Sequence, residues 1–141
     1  MATLAKDKIR TYESGPVDSL NDLPAVASDI IYEGSAVGDN ASGYGRPLVA
    51  TDPFLGFCKR RCENASGAAG DKNIKVIERG KVVLDVTGVT GPGDVGENVY
   101  ASDDDTFTLT STSNSAIGKV SRHISGTKCV VYFEAVQLRS I

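Results

Sequence analysis

The sequence predicts an all-β fold: a compact β-barrel or jelly-roll-like sandwich of about eight to ten short antiparallel strands, preceded by an extended N-terminal arm. From Asp29 onwards, short apolar runs alternate with turn residues at the spacing of about 8–12 residues that is typical of sandwiches and barrels. No long segment has the i, i+3, i+4 apolar spacing of an amphipathic helix. The chain has 15 Gly and only 6% aromatic residues, so we expect a core built mainly from Val, Ile, Leu and Ala.

Residues 1–27 are predicted to form the arm, and residues 28–141 the β domain. Ser14-Gly15-Pro16 and Leu23-Pro24 interrupt the first segment, and no apolar period continues through it. A first edge strand around residues 8–13 is an equally open interpretation of the same stretch.

Two hairpins are predicted in the middle of the chain. The apolar residues of 74–86 share one parity on both sides of Arg79-Gly80, which predicts a tight turn there and one buried face. Residues 98–102 and 106–110 flank Asp103-Asp104-Asp105 and predict a second hairpin with a solvated acidic turn.

The last predicted strand is apolar on both faces. Cys129, Val131, Phe133 and Ala135 form one row, and an opposite row consists of Val130, Tyr132 and Val136. Such a strand is either central in the fold or covered by a partner subunit. The opposite row is therefore a candidate surface for subunit packing, with a central strand as the open alternative.

Composition disfavours several functional classes. Fifteen Lys and Arg against 18 Asp and Glu give a net charge of −3, which disfavours binding to nucleic acid. No apolar stretch reaches the roughly 18 residues of a membrane span, and the N-terminus lacks the apolar region of a secretory signal. We expect a soluble protein, made in a cytoplasm, whose three cysteines are reduced and packed.

Three sequence features suggest ligand binding or catalysis, but each lacks the neighbouring residues or local structure that such a function needs. Residues 91–96 match G-x-G-x-x-G, but a strand pattern follows instead of a helix, and Asp94 would repel phosphate. Cys58 and Cys62 would lie about 13 Å apart along a strand, too far to share one zinc ion, and only a turn between them would allow a shared ion. His123 is the single histidine and has no nucleophile motif to act with. We therefore expect no catalytic, cofactor-binding or metal-ligating residues.

One stretch resembles a known family. Residues 93–111 read GDVGENVYASDDDTFTLTS, followed by IGKV at 117–120 and VVYFEA at 130–135. Together these segments resemble the small capsid decoration proteins, or cement proteins, of tailed bacteriophages. Further similarity lies upstream, in DIIYEG at 29–34, GYGRP at 43–47, FLGF at 54–57 and AGD at 69–71. The resemblance covers roughly residues 29–135 and rests on turn and strand patterns.

The resemblance implies a structural virion protein with a compact β-barrel or jelly-roll-like fold and no enzymatic activity. Such a protein would be made in the bacterial host cytoplasm and bind the outer surface of the capsid. There it would cement neighbouring major capsid protein subunits, commonly as a homodimer or homotrimer, against internal DNA pressure. Lys8, Arg10 and Tyr12 of the arm are the predicted capsid contacts.

Two other functional classes compete with this one. A virion-surface module, in a head fibre or associated with the tail, that recognises a host glycan would need clustered aromatic side chains. The chain has no Trp, and its Tyr and Phe residues are dispersed. A cupin-like metalloenzyme would normally need several His ligands, and the chain has one.

Overall fold

A computed structural model of the chain describes residues 4–13 and 18–139, and these form eleven β-strands and two short 3-10 turns. The predicted breaker Ser14-Gly15-Pro16 lies outside the described residues. The strands are β1 (Asp18–Pro24), β2 (Asp29–Ile31), β3 (Ala36–Asp39), β4 (Gly45–Pro47), β5 (Phe54–Cys58), β6 (Cys62–Asn64), β7 (Asn73–Thr87), β8 (Asn98–Ala101), β9 (Phe107–Thr108), β10 (Ser115–Ser125) and β11 (Lys128–Glu134).

The predicted all-β fold is confirmed, with 51% of the chain in strands and a closed five-stranded barrel plus outer strands. The barrel runs β7-β9-β8-β10-β11 and closes by pairing of β11 with β7. Its pairs are antiparallel except for β7 and β9, which run parallel over two residue pairs. β1 and β5 both pair with the first half of β7, and β3 and β4 continue the sheet from β5.

The hairpin predicted at Arg79-Gly80 is wrong, because β7 continues straight through it as one strand of 15 residues. Gly80 pairs with Phe133 of β11 and has no left-handed backbone conformation. The shared parity of the apolar residues was correct, since even-numbered Ile74, Val76 and Val82 are all fully buried. An unbroken parity across a glycine is what a continuous strand produces.

The second predicted hairpin is confirmed. β8 and β9 pair antiparallel, with Ala101 opposite Phe107 and Tyr100 opposite Thr108. Phe107 is buried in the core and Leu109 packs against it, as their shared face predicts.

Two apolar clusters meet along β7. The larger cluster fills the barrel and is centred on aromatic rings: Phe57 and Phe133 lie 4.9 Å apart edge to face, and Phe54 and Phe57 lie 5.5 Å apart. The smaller cluster lies among the outer strands and contains Ile74 and Val76. Since β7 contributes to both, three consecutive residues, 76–78, are buried there.

The segment predicted as an arm is part of the sheet over much of its length. β1 pairs with β7 from Asp18–Arg79 to Pro24–Asn73. Ala25, at its end, is fully buried in the smaller cluster. Residues 18–25, which the sequence analysis placed in the arm, therefore belong to the sheet and its core.

Candidate functional site

The first described segment crosses the barrel as a short strap, which we define as residues 7–13. Lys8 N donates to Glu33 O at 2.8 Å, and Glu13 N donates to Lys81 O at 3.0 Å. Val83 N donates to Thr11 O at 2.9 Å. The strap thus bonds to β7 on one side and to the turn after β2 on the other. This arrangement is close to the edge strand around residues 8–13, the alternative that the sequence analysis left open.

Side chains of the strap alternate between two faces, as in any extended chain. Lys8, Arg10 and Tyr12 lie against the barrel, whereas Ile9 and Thr11 face outwards. Ile9 is 84% exposed, the most exposed large apolar residue of the described chain.

Arg10 anchors the strap. Its side chain is only 4% exposed; Nη2 donates to Asp105 Oδ1 at 2.7 Å and Nε donates to Gly34 O at 2.8 Å. The guanidinium also lies over the rings of Phe57 and Phe107, at 5.6 and 5.5 Å. A planar cation with several donors suits such a site, because it can bond at its edges and stack on its faces.

The acidic turn between β8 and β9 was predicted to be solvated, and this prediction is wrong. Asp104 is 1% exposed; its carbonyl accepts from Ala36 N at 2.9 Å, and its carboxylate accepts from Ser35 Oγ at 3.3 Å. Asp105 accepts from Arg10 and from Lys8 Nζ at 3.1 Å. These carboxylates lose water because donors from distant parts of the chain replace it.

Tyr12 completes the inner face of the strap. Its ring lies 6.3 Å from that of Phe133, and burial raises the pKa of its hydroxyl. All three residues predicted as capsid contacts, Lys8, Arg10 and Tyr12, thus contact their own barrel. Their assignment to a capsid contact stays a prediction, and the side chains that the strap directs away from the barrel are Ile9 and Thr11.

The three residues predicted for subunit packing occupy three different environments. Val130 is fully buried, in a strand that lies between β10 and β7. Val136 follows the end of β11, in a 3-10 turn, and packs against the smaller cluster. Tyr132 is 38% exposed, in a groove of about 260 Å³ beside Ala116 and Lys119. β11 is a central strand, and Tyr132 is the member of this row that faces outwards.

The glycine-rich segment at 91–96 is a connecting loop followed by β8, as predicted. Asp94 Oδ2 accepts from the backbone N of Thr90 at 2.8 Å and from Gly91 N at 3.3 Å. These two hydrogen bonds, that from Thr90 first, lower the pKa of Asp94. The loop thus holds the carboxylate of Asp94 against backbone amides at its start, where it would repel a phosphate.

The cysteines are free and buried, as predicted. Cys58 and Cys62 do not lie along one strand, however, because β5 ends at Cys58 and β6 begins at Cys62. Burial raises the pKa of Cys58 to about 12 and that of Cys129 to about 11, so both thiols stay protonated at neutral pH. Burial also raises the pKa of Cys62. Within residues 4–13 and 18–139, no three His, Cys, Asp or Glu side chains are grouped to hold a metal ion. His123 is partly exposed on β10, as predicted, with Nε2 3.0 Å from Gly126 O.

Sequence reasoning missed a buried carboxylate that joins β1 to the C-terminal turn. Glu78 is 4% exposed, and it accepts from Ser19 Oγ, from Asn21 Nδ2 at 3.0 Å and from Gln137 Nε2 at 2.7 Å. Burial opposes its ionisation, but the three hydrogen bonds outweigh it and lower the pKa of Glu78. Its even-numbered position in β7, the parity of the buried Ile74, Val76 and Val82, is the signal that the sequence contains.

No helix among the described residues is long and apolar enough to cross a membrane. No family model matches the chain, and no curated protein matches its sequence.

Proposed function

We propose that the chain is a structural virion protein that binds the outside of a phage head and cements neighbouring major capsid protein subunits. One observation carries this proposal. The segments 93–111, 117–120 and 130–135, which resemble the decoration proteins, lie on β8, β9, β10 and β11, which are four of the five barrel strands. These three segments of the similarity therefore fall on neighbouring strands of the barrel.

The proposed role is one of binding without chemistry. The chain would be made in the bacterial host cytoplasm and remain on the outer surface of the assembled head, stabilising it against internal DNA pressure. A standard protein interface buries about 800 Å² on each partner, although area alone does not determine affinity. A homodimer or homotrimer would engage several capsid subunits at once and gain affinity through effective concentration.

The direct test is sedimentation with heads that lack the protein. Saturable co-pelleting, together with a higher temperature of head disruption, is the expected result. A protein that stays in the supernatant at saturating concentration would contradict the proposal. Binding to a glycan array without binding to heads would favour the alternative, a virion-surface module that recognises a host glycan.

The strap is best tested with point substitutions. A deletion of all residues before Asp29 is less suitable, because together with the strap it would remove Arg10 and β1, and β7 would lose its pairing with β1. We expect Ile9→Asp to weaken head binding while the fold persists, because this side chain is 84% exposed. Leu20→Asp is the matched control, since Leu20 is 48% exposed on β1. Equal binding by both variants and the wild type would exclude the strap as a contact.

A further inference from the structure

The outer face of the barrel presents an aromatic side chain, Tyr132 of β11, in an apolar groove. Its neighbours in sequence, Val131 and Phe133, point into the barrel, whereas Tyr132 is 38% exposed. Ala116 and Ile117 of β10 line the same groove, whose volume is about 260 Å³. An exposed aromatic ring beside apolar side chains is a surface that gains free energy when a partner covers it.

Two lysines flank this ring. Lys119 of β10 lies directly opposite Tyr132 on one side, and Lys81 of β7 lies directly opposite it on the other. Such pairs have Cβ atoms about 4.5–5.5 Å apart, so both lysines share the outer face with Tyr132. Both are exposed, and neither takes part in an ion pair within the part of the chain that the structure describes.

Arg139 is a third cation of the groove. Its Nη2 donates to Ala116 O at 2.7 Å and its Nε donates to Glu134 O at 3.0 Å, so two backbone carbonyls fix the guanidinium. Burial lowers the pKa of Arg139, and the nearby charge of Glu134 offsets only part of this effect. No ion pair joins Arg139 to a carboxylate among the described residues. We call Tyr132, Lys81, Lys119 and Arg139 the Tyr132 face.

The carboxylates next to the Tyr132 face are paired with other cations. Glu134 lines the groove and pairs with Arg79 at 3.7 Å. Arg122, one row along the sheet, donates to both carboxylate oxygens of Glu13, at 2.9 and 3.0 Å. With these two pairs included, five cations stand against two carboxylates among the described side chains.

The next charges along the strands leave this excess in place. Glu97 precedes Asn98, which lines the groove, and counting Glu97 raises the carboxylates to three. One row beyond Arg122, Lys128 lies opposite Asp85, and they add one charge of each sign. The surface around Tyr132 therefore keeps an excess of two positive charges, in a chain whose net charge is −3.

We propose that the Tyr132 face is the docking site for an acidic segment of a partner protein. An apolar side chain of that segment packs on the ring of Tyr132, and carboxylates on either side of it bind Lys81, Lys119 and Arg139. Charge complementarity selects the acidic residues, and the apolar groove selects the side chain between them.

Two other occupants are disfavoured. A second copy related by a two-fold axis would bring the same cations against each other. A nucleic acid would be repelled by the net charge of −3, and the few cations here would neutralise few phosphates. The inference rests on the proposed function for the identity of the partner, the capsid shell, but not for the chemistry of the contact.

The experiment uses a hexapeptide of alternating Glu and Leu as the probe and amide chemical shifts of the full chain as the readout. We expect shifts confined to the amides around Tyr132, Lys119 and Lys81, weakening as salt is raised from about 0.05 M to about 0.5 M. Combining Lys81→Glu with Lys119→Glu should weaken peptide binding about tenfold or more. Tyr132→Ala should weaken it about fivefold or more, because the apolar contact is lost.

The matched control reverses Lys59 and Arg60, in the turn between β5 and β6. Both are exposed and, like Lys81 and Lys119, have no ion pair within residues 4–13 and 18–139. Each double reversal takes the net charge from −3 to −7. Lys59 N donates to Lys75 O, and Lys75 is six residues along β7 from Lys81, which is roughly 20 Å at about 3.3 Å per residue. The control should bind the peptide within about twofold of the wild type if the site is local.

The outcomes separate the site from the proposed function. Equal weakening by both double variants, an unchanged affinity of Tyr132→Ala, shifts elsewhere on the barrel, or no shifts would overturn the docking site. Stronger shifts of the same amides with a single-stranded oligonucleotide would overturn it in favour of nucleic acid. Shifts of these amides that grow with protein concentration alone would overturn it in favour of a second copy.

Sedimentation with heads tests the partner. Wild-type binding to heads that the reversal of Lys81 and Lys119 weakens, and the control reversal does not, supports the shell as the partner. Peptide binding without head binding would support the site and contradict the cement function.

Discussion

Replacing Arg10 with Ala should destabilise the protein more than any other single change in the strap. The side chain is 4% exposed and makes two short hydrogen bonds, to Asp105 at 2.7 Å and to Gly34 O at 2.8 Å. Its guanidinium also lies over the neighbouring rings of Phe57 and Phe107. Truncation removes these contacts together and leaves a space beside the aromatic core.

The magnitude follows from the contacts. A hydrogen bond to a charged group contributes about 1.5–3 kcal/mol, and each cation–π contact contributes about 0.5–1 kcal/mol or more where water is excluded. Asp105 keeps Lys8 as a partner, which limits the loss. We therefore expect Arg10→Ala to lower the free energy of unfolding by about 3–5 kcal/mol, the range for breaking a buried ion pair.

Lys8→Ala is the matched control, because Lys8 bonds to the same carboxylate from a side chain that is 49% exposed. A surface ion pair of this kind contributes at most about 1 kcal/mol. Arg10→Lys keeps the charge but loses part of the guanidinium's hydrogen bonding, so it should cost about 0.5–1.5 kcal/mol for each bond lost.

Urea unfolding followed by tyrosine fluorescence measures these differences, since the chain has five Tyr and no Trp. Hydrogen exchange adds a local readout: the amides of Glu13 and Val83, which bond across the strap and β7, should lose protection in Arg10→Ala. If Arg10→Ala and Lys8→Ala lowered stability by the same amount, the reasoning that burial makes Arg10 the anchor would be refuted.

Three further predictions concern the interior. Because the pKa of Glu78 is lowered in the folded state, its ionised carboxylate stabilises the fold fully above its ordinary pKa of 4.5, and this stabilisation is lost as the pH falls through the folded-state pKa. Glu78→Gln should therefore flatten the dependence of Tm on pH in acid, and an unchanged dependence would contradict this prediction. Gly56→Ala should lower the free energy of unfolding by about 2–4 kcal/mol, because φ is +126° and a Cβ would lie 2.5 Å from Ile77 O. A loss under about 1 kcal/mol in urea unfolding would contradict this prediction. Cys58 and Cys129, with pKa values raised by burial to about 12 and 11, should resist thiol reagents at neutral pH until urea unfolds the chain, and rapid labelling of the folded protein would be inconsistent with that.

The strand pattern could be predicted because alternation reports which side chains are buried. Residues 74–86 keep one parity, and the structure buries that face. Alternation does not report whether the chain reverses, however. At Gly80 the decision between turn and strand comes from long-range pairing, since β11 pairs with β7 across Gly80 and β1 pairs with its first half. A local sequence pattern contains no information about those partners.

The same limit explains the acidic turn. Three consecutive carboxylates are normally solvated, because burial without donors is costly. The donors to Asp105 come from Lys8 and Arg10, 97 and 95 positions away. The alternate spacing of Lys8, Arg10 and Tyr12 does predict that they share a face. That this face is the inner one depends on the distant carboxylate and on the aromatic core.

These contacts constrain how a cement could bind. A partner cannot add a strand along the strap's bonded edges, because Lys8 N already donates to Glu33 O and Glu13 N to Lys81 O. Binding through this surface must therefore use side chains, with Ile9 as an apolar contact. A single such contact contributes only modestly, since fully burying one large apolar side chain is worth about 1.5–3 kcal/mol. The proposed role accordingly requires an oligomer that binds several capsid subunits together, so a monomeric variant with an intact fold should lose most of its affinity for heads.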